Sequence, residues 1–502
     1  MTLRLRRAIQ DLFAAGYMLE EEAFNLLKVI EDENTVYELV KRAIEEADKM
    51  TPKPLYISKD MLEVTAKEEV LKEAEEVKVS LTRSFKPLAR EYESDIEVLF
   101  DPTIKIGSKG DVGDFSSYFK NRFIKISKIL RERLDVRDAI TIGEALKSNN
   151  DSTVKFIAMI SEKREKGGKI FLRVEDLEDT AVVMVSNSSS YEFTQAMLLD
   201  QVVCIEAFKT KGDLFISKNI IFPDLPERKI QVKEDPLNIL CISDVHFGSK
   251  TFRDDLFKRL IFWLNGKIGN AHQLERAGSV KYLVISGDLV DGVGVYPDQD
   301  RELLLPDIYK QYQLFSQYIE QIPEYIDVLI TPGNHDATRQ ALPQPAIPKE
   351  YAEPVYEARN VISIGNPATV KVNGRSILLF HGTSLNDIIS NVPKLNFNVP
   401  EKGMECLLKA RHLAPIYGGG APIAPEEEDY LVVEQPPDVF QVGHIHVEGH
   451  EFYRGTLMVS CAAWQEQTEY QRRMGLNPTV GVGSLIELGS LRLSLLNFSE
   501  NP

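Results

Sequence analysis

The stretch LCISDVHFGSK, residues 240–250, sets a carboxylate and an imidazole two positions apart, directly after an unbroken apolar run. A continuous run of this kind fits a strand buried on both faces, as in the parallel sheets of α/β proteins. Asp244 and His246 then emerge together where the strand ends. Burying two polar groups there is costly unless something compensates them. Strand ends are also where open α/β folds place their ligands.

The arrangement recurs downstream. KYLVISGDLVDG (281–292) runs into Asp288, with Asp291 three residues on, and IDVLITPGNHD (326–336) into Asn334, His335 and Asp336. RSILLFHG (375–382) ends in His381, and DVFQVGHIH (438–446) in His444 and His446. One such pair is weak, because a lone histidine beside an apolar run is more often a satisfied structural residue. Clusters in the order DxH, GDxxD, GNHD, HG and GHxH are not chance, and they take five of the eight histidines. His272 and His412 fall outside them and receive no ligand role, while His450 reads as a supporting or surface residue. Gly287, Gly333, Gly382 and Gly443 allow tight turns and close backbone approach. Imidazole, carboxylate and amide oxygen suit a mid-row divalent metal such as manganese, iron or zinc rather than calcium. The donors suffice for two ions sharing a carboxylate, and such a pair, ~3.5–4 Å apart, holds a phosphoryl group and activates water. Cations would also remove the cost of burying Asp244 beside His246.

A chain of 502 residues is too long for one core and enough for two or three domains. With 43% hydrophobic and 27% charged residues its composition is that of a globular protein. No apolar run of ~18 residues and no signal-peptide pattern occurs, so the expected compartment is the cytoplasm, with no membrane contact. Cys204, Cys241, Cys406 and Cys461 are far apart and read as buried thiols. The net charge of −17 argues against a protein that grips duplex DNA by itself. An acidic chain acting on nucleic acid needs metal ions at its site, or a partner that supplies the grip.

Residues 1–50 read as a helical docking module. LRRAIQDLFAAGYM (5–18) and NTVYELVKRAIEEA (34–47) show helical apolar spacing, with DENT (32–35) as break and cap. Residues 51–97, opening with TPKP and dense in Lys and Glu, read as a charged linker. Residues 98–230 read as an OB-fold domain with a preceding helix, in GDVGDFSSYFKNRFIKISKILRERL (110–134). Asp114 is the expected cap, and Phe115, Phe119, Phe123, Ile126, Leu130 and Leu134 the apolar face. The other face carries Lys120, Arg122, Lys125, Lys128 and Arg131, either solvated or in contact with nucleic acid. Three strand-like runs from Thr153, the first two joined at Gly167–Gly168, are followed by a short helical stretch, YEFTQAMLLDQ (191–201). VVCIEAF (202–208) and LFISKNIIF (214–222) then complete the order of an OB barrel. No aromatic platform stands out on these strands, which favours protein docking over base stacking. Residues 236–502 hold the five polar clusters.

Those clusters resemble the calcineurin-like metallophosphoesterase superfamily, which includes the double-strand-break repair nuclease. The resemblance implies an α/β four-layer phosphoesterase domain over 236–502. It implies that Asp244, His246 and His446 bind one metal, Asn334, His381 and His444 the other, and that Asp288 bridges them. His335 then matches a catalytic histidine that is not a ligand and stabilises the transition state or protonates the leaving oxygen. Asp291 matches a residue that orients a ligand histidine. No ligand position is substituted.

The domain order, together with LLKARHLAPIYGGG (407–420) and WQEQTEYQRRMGLNPTVG (464–481), is similar to the small subunits of archaeal family-D DNA polymerases. These are relatives of the B subunits of eukaryotic replicative polymerases. The likeness covers about 150–502 and extends more loosely upstream. It implies a metal-dependent 3′–5′ exonuclease that proofreads for a separate large subunit carrying the polymerase site. The implied cofactors are two divalent ions, manganese first, with iron or zinc as alternatives. The implied substrates are single-stranded or mismatched DNA 3′ ends, and a sliding clamp would be reached through the complex. A catalytically silent scaffold of the B-subunit type is disfavoured by the complete ligand set, and a stand-alone metallophosphodiesterase by the barrel and helical front end. Between two ligands, Lys394, Lys402, Lys409 and Arg411 are candidates for a rim that guides a strand, and Arg339 for a phosphate contact. Trp464 and Tyr470 would pack on the large subunit or on the core.

Overall fold

The computed structural model describes residues 85–185 and 197–500 continuously, with further positions between 12 and 62. It divides into two compact units, Met1–Lys86 and Pro87–Pro502. No described helix is long and apolar enough to cross a membrane.

In the first unit the expected second helix forms over Glu33–Lys49 and buries Val36, Leu39, Val40, Ala43 and Ala47 at helical spacing. Most of 5–18 lies outside the described residues. The expected linker does not begin where its charge suggests. β1 (Met18–Leu19) pairs in parallel with β2 (Tyr56–Ile57), and Ile57 and Leu62 join the same core. At its other end, β3 (Ile96–Phe100) is an edge strand antiparallel to Ala368–Val372, so residue 97 falls inside a strand rather than at a domain boundary.

The barrel is present. β4 (Thr153–Lys166), β5 (Lys169–Glu175), β6 (Thr180–Val185), β7 (Val202–Lys209) and β8 (Leu214–Ile221) close in the order β4-β5-β6-β8-β7. Phe156, Leu172, Val183, Ile205 and Phe215 fill it. Of the helix expected at 191–201, residues 191–196 lie outside the described residues, and 197–201 are not helical, with a turn at 199–200.

The helix before the barrel spans Val112–Arg131 and is capped one turn earlier than expected. Asp111 accepts from the Asp114 N–H (3.0 Å) and the Asp114 carboxylate accepts in return from the Asp111 N–H (3.4 Å), so two carboxylates cap it reciprocally. Ile126 and Leu130 are buried as expected, but Leu134 is exposed. The basic face divides. Arg122 is wholly buried, donating to Asp429 Oδ2 (2.7 Å) and to the Pro415 carbonyl (2.7 Å), and Asp429 also receives His412 Nε2 (2.8 Å). Lys125 pairs with Glu428 (2.9 Å) and Glu434 (3.0 Å). Arg122 and Lys125 thus dock on the acidic 426–434 segment, while Lys120, Lys128 and Arg131 are exposed, as a solvated face would be. Removing one partner of such a pair leaves a buried charge uncompensated. Arg122→Ala is therefore expected to lower unfolding stability by about 3–5 kcal/mol, read as a fall in the denaturant midpoint.

Two six-stranded sheets form the rest. β9 (Asn238–Ile242), β10 (Val280–Ser286), β11 (Asp327–Thr331) and β12 (Val361–Ser363) are parallel neighbours. The second sheet contains β13 (Ala368–Val372), β14 (Arg375–Leu379), β15 (Val439–Val442), β16 (Gly449–Tyr453) and β17 (Thr456–Ser460), in the order β16-β17-β15-β14-β13-β3. β18 (Val482–Glu487) and β19 (Leu493–Asn497) complete the first as β12-β11-β10-β9-β18-β19. A shared core including Ile239, Cys241, Tyr282, Val284, Leu379, Val439 and Val459 joins the sheets. Helices Leu385–Asn391 and Pro400–Ala410 cover the other face of the second sheet through Phe380, Phe440 and Met458. Cys204, Cys241 and Cys461 are buried free thiols and Cys406 is half-buried. Trp464 belongs to the core, edge-on to Phe257 at 5.1 Å.

Candidate metal centre

Every polar cluster follows the C-terminal end of a parallel strand: Asp244 after β9, Asp288 after β10, Asn334 after β11, His381 after β14 and His444 after β15. Parallel direction within each sheet puts these ends on one side, and the side chains meet there. Asp244, His246 and His446 bring ligand atoms within 4.8 Å of one another, as do Asp288, His381 and His444, and also His246, Asp288 and His335. Asp288 thus belongs to more than one group. Its Oδ2 lies 3.2 Å from His381 Nε2 and 3.8 Å from His246 Nε2. Asn334 Oδ1 joins the second group, 3.1 Å from His381 Nε2, and His446 Nε2 lies 3.2 Å from Asp244 Oδ1.

The backbone is bent to achieve this. Asp244 (φ 51), His246 (φ 57), Asp288 (φ 51), His444 (φ 68) and His446 (φ 60) are all left-handed. Such residues cost roughly 1–3 kcal/mol each, nearer the low end for Asp and His, and they persist where a function requires them. Gly333 shows how closely the loops approach. A Cβ there would stand 2.1 Å from Asp288 Oδ1 and 2.5 Å from the Asp288 backbone nitrogen.

Neighbouring groups fix the donors. His246 Nδ1 donates to the Asp291 carboxylate (3.1 Å) and His381 Nδ1 to the Ser286 carbonyl (3.0 Å), which turns each Nε2 inward. Asp291, the residue expected to orient a ligand histidine, is itself held by Gln299 Nε2 (3.1 Å) and Gln465 Nε2 (2.9 Å). Asn386 Nδ2 reaches His444 Nε2 (2.8 Å), and the Gln471 amide lies 2.9 Å from His446 Nδ1. Asp336 sits beneath the GNHD turn, accepting from the Gly333 N–H (2.8 Å) and the Tyr312 hydroxyl (3.0 Å). Burial and the Asp288 charge push it up to about 7. Sequence reasoning missed Gln299, Gln465, Gln471 and Asn386, because a single amide in a loop has no periodicity or motif. Gln465 and Gln471 do lie in the quoted 464–481 stretch.

The charge pattern fits divalent cations. Burial opposes ionisation of Asp288 and Asp244, yet His381 and His446 respectively hold them below the usual carboxylate range. Burial keeps His246 neutral, and burial with the neighbouring His381 drives His444 down to about 3. Burial also opposes charge on His381, but Asp288 outweighs it and raises the ring to about 10. Carboxylates are therefore ionised and two imidazoles neutral, as ligands must be, and His381 alone among these would release a proton on metal binding.

His335 is half-buried, its N–H donating to Asp288 Oδ1 (2.9 Å) and its Nδ1 to the Asp291 carbonyl (2.7 Å). The centre opens into a cavity of about 230 Å³ whose walls include Tyr296, Phe397, Leu476 and Thr468.

The candidate substrate contacts lie elsewhere. Arg411 is buried, donating to the carbonyls of Val433 (2.7 Å), Asp224 (3.1 Å) and Glu434 (2.5 Å). Lys409 pairs with Glu405 (2.6 Å), and Lys402 with Glu451 (2.6 Å). Arg339 pairs with the buried Glu426 (2.6 Å) and donates to the Ala341 carbonyl. Local acidic or carbonyl partners engage each of these side chains. His412 is structural, and His450 pairs at the surface with Glu448 (2.7 Å).

The fold and site fall within a known class: residues 239–449 match the family model for the B subunit of DNA polymerases alpha and epsilon. A DNA polymerase II small subunit of Archaeoglobus fulgidus is 40% identical over 405 residues, 81% of each chain. One from Methanothermobacter thermautotrophicus is 34% identical over 490 residues, 96% of this chain and 98% of that one. This chain belongs to the family of DNA polymerase II small subunits, the small subunits of family-D polymerases. Among solved structures, an archaeal phosphodiesterase is 13% identical at a TM-score of 0.25, covering 52% of this chain and 98% of that one, a likeness too slight to bear on the fold.

Proposed function

We propose that this chain is the proofreading 3′–5′ exonuclease subunit of a two-subunit replicative polymerase, hydrolysing terminal phosphodiesters with two divalent cations, manganese first among them. The carrying observation is the shared carboxylate: Asp288 belongs both to a group with His381 and His444 and to one with His246. Asp244, His246 and His446 would hold one ion, Asn334, His381 and His444 the other, and Asp288 both, in a calcineurin-like phosphoesterase domain. Bound cations supply Lewis-acid stabilisation of phosphoryl charge and activation of water. His335, fixed through Nδ1 to the Asp291 carbonyl, presents Nε2 to the cavity, where it delivers a proton to the leaving oxygen. An unpaired 3′ end enters such a recess more easily, because fraying has already removed part of the unstacking cost.

Membership of the family implies a large catalytic subunit as partner. With a net charge of −17, that partner and a clamp reached through it would hold the DNA. A silent scaffold is disfavoured because each expected ligand position carries a competent donor.

The test is a 5′-labelled primer, matched or mismatched at its 3′ end, incubated with the chain and manganese. Progressive shortening is expected, faster on mismatched and single-stranded ends, and abolished by a chelator. Intact primers, both with and without the large subunit, would overturn the reading.

A further inference from the structure

We infer that Tyr296 is a substrate-positioning residue that stacks on the base second from the 3′ end, the one whose sugar carries the leaving oxygen. The inference rests on the exonuclease reading. The Tyr296 ring lies on the cavity wall with its centroid 6.0 Å from that of His335. His335 serves the leaving oxygen, so the ring beside it faces the nucleotide that remains on the primer.

The loop carrying Tyr296 is built, not incidental. Buried Gln299 donates to the Asp291 carbonyl (2.7 Å) and accepts from the Val295 N–H (2.8 Å), tying the loop to the residue that orients His246. Buried Gln311 accepts from the Gly292 N–H (2.8 Å) and donates to its carbonyl (3.0 Å). A Cβ on Gly292 would stand 2.4 Å from the His335 carbonyl oxygen, so the loop rests directly on the GNHD turn. Two buried amides and a backbone contact thus hold an aromatic ring at the mouth of the centre.

The chemistry of the walls agrees. None of the described residues lining the cavity is Lys or Arg. Apart from bound cations, affinity for a strand there has to come from something other than phosphate pairing. Stacking on an aromatic face supplies it without sequence preference, because every base has a π-face. A stacked second base further requires two unpaired nucleotides, which a mismatched end offers and a paired end does not.

The experiment uses the full chain with manganese and a single-stranded oligonucleotide, either natural or abasic at the second position from the 3′ end. Tyr296→Ala is expected to raise KM for the natural end roughly 5- to 150-fold, with a smaller change in kcat and unchanged metal content. Tyr296→Phe, which keeps the ring, should restore the wild-type KM. Wild type on the abasic end should show the same raised KM, and Tyr296→Ala should add nothing there. Equal loss by Tyr296→Ala on both ends, or a wild-type KM in that variant, would overturn the inference while leaving the exonuclease reading in place. A wild-type chain that leaves every 3′ end intact would remove both.

Discussion

Asp288→Asn is expected to slow removal of 3′ nucleotides by at least about a thousandfold and to leave the dialysed protein short of divalent metal. The amide keeps the shape and one acceptor oxygen but loses the charge that two cations would share. Several kcal/mol of transition-state stabilisation go with it, and each 1.36 kcal/mol is tenfold in rate. The Asp288 carboxylate also accepts the His335 backbone N–H and lies 3.2 Å from His381 Nε2, so that imidazole loses its counter-charge. Elemental analysis and a primer-shortening assay read the two effects separately. Normal metal content with a normal rate would dissolve the shared-ligand assignment.

His335→Ala should behave differently. Its Nδ1 is committed to a backbone carbonyl, and the role proposed for it is proton delivery rather than holding metal. Loss of a positioned acid costs typically ~10²–10⁴-fold, so DNA hydrolysis should fall by that factor while metal content stays at the wild-type level. An ester whose leaving group needs no proton, such as bis(p-nitrophenyl) phosphate, should lose far less. The same loss on both substrates would show that His335 acts in some other way.

The half of this chain that holds the candidate metal centre was legible because its signal is local. Each apolar run and the polar cluster after it lie within about a dozen residues, and parallel sheets make such runs continuous. The barrel was legible for the same reason, through strands and a Gly–Gly turn that follow one another. What the sequence hid depends on distant partners. Arg122 looks like any other residue on a basic stripe, since its partner Asp429 lies 307 residues away. β3 sits in a charged stretch, and its register, Phe100 opposite Thr369, is set by a strand far downstream. Arg411 follows a helix within the expected rim, but a left-handed turn at φ 53 sends it into the core. Charge near a site in sequence is thus a poor guide to charge facing it. The orienting amides were hidden for a related reason: Gln299 and Gln465 become recognisable only once Asp291 stands between them.

The left-handed ligand positions carry an evolutionary asymmetry. Under the proposed proofreading role, a lineage that hands error correction to another enzyme no longer gains from Asp or His at those five φ-positive sites, and each exchange for glycine relieves steric conflict there. Decay into an inert spacer therefore runs downhill in folding terms. Regaining the donors one by one would have to climb, each step adding conformational tension before any ion can reward it.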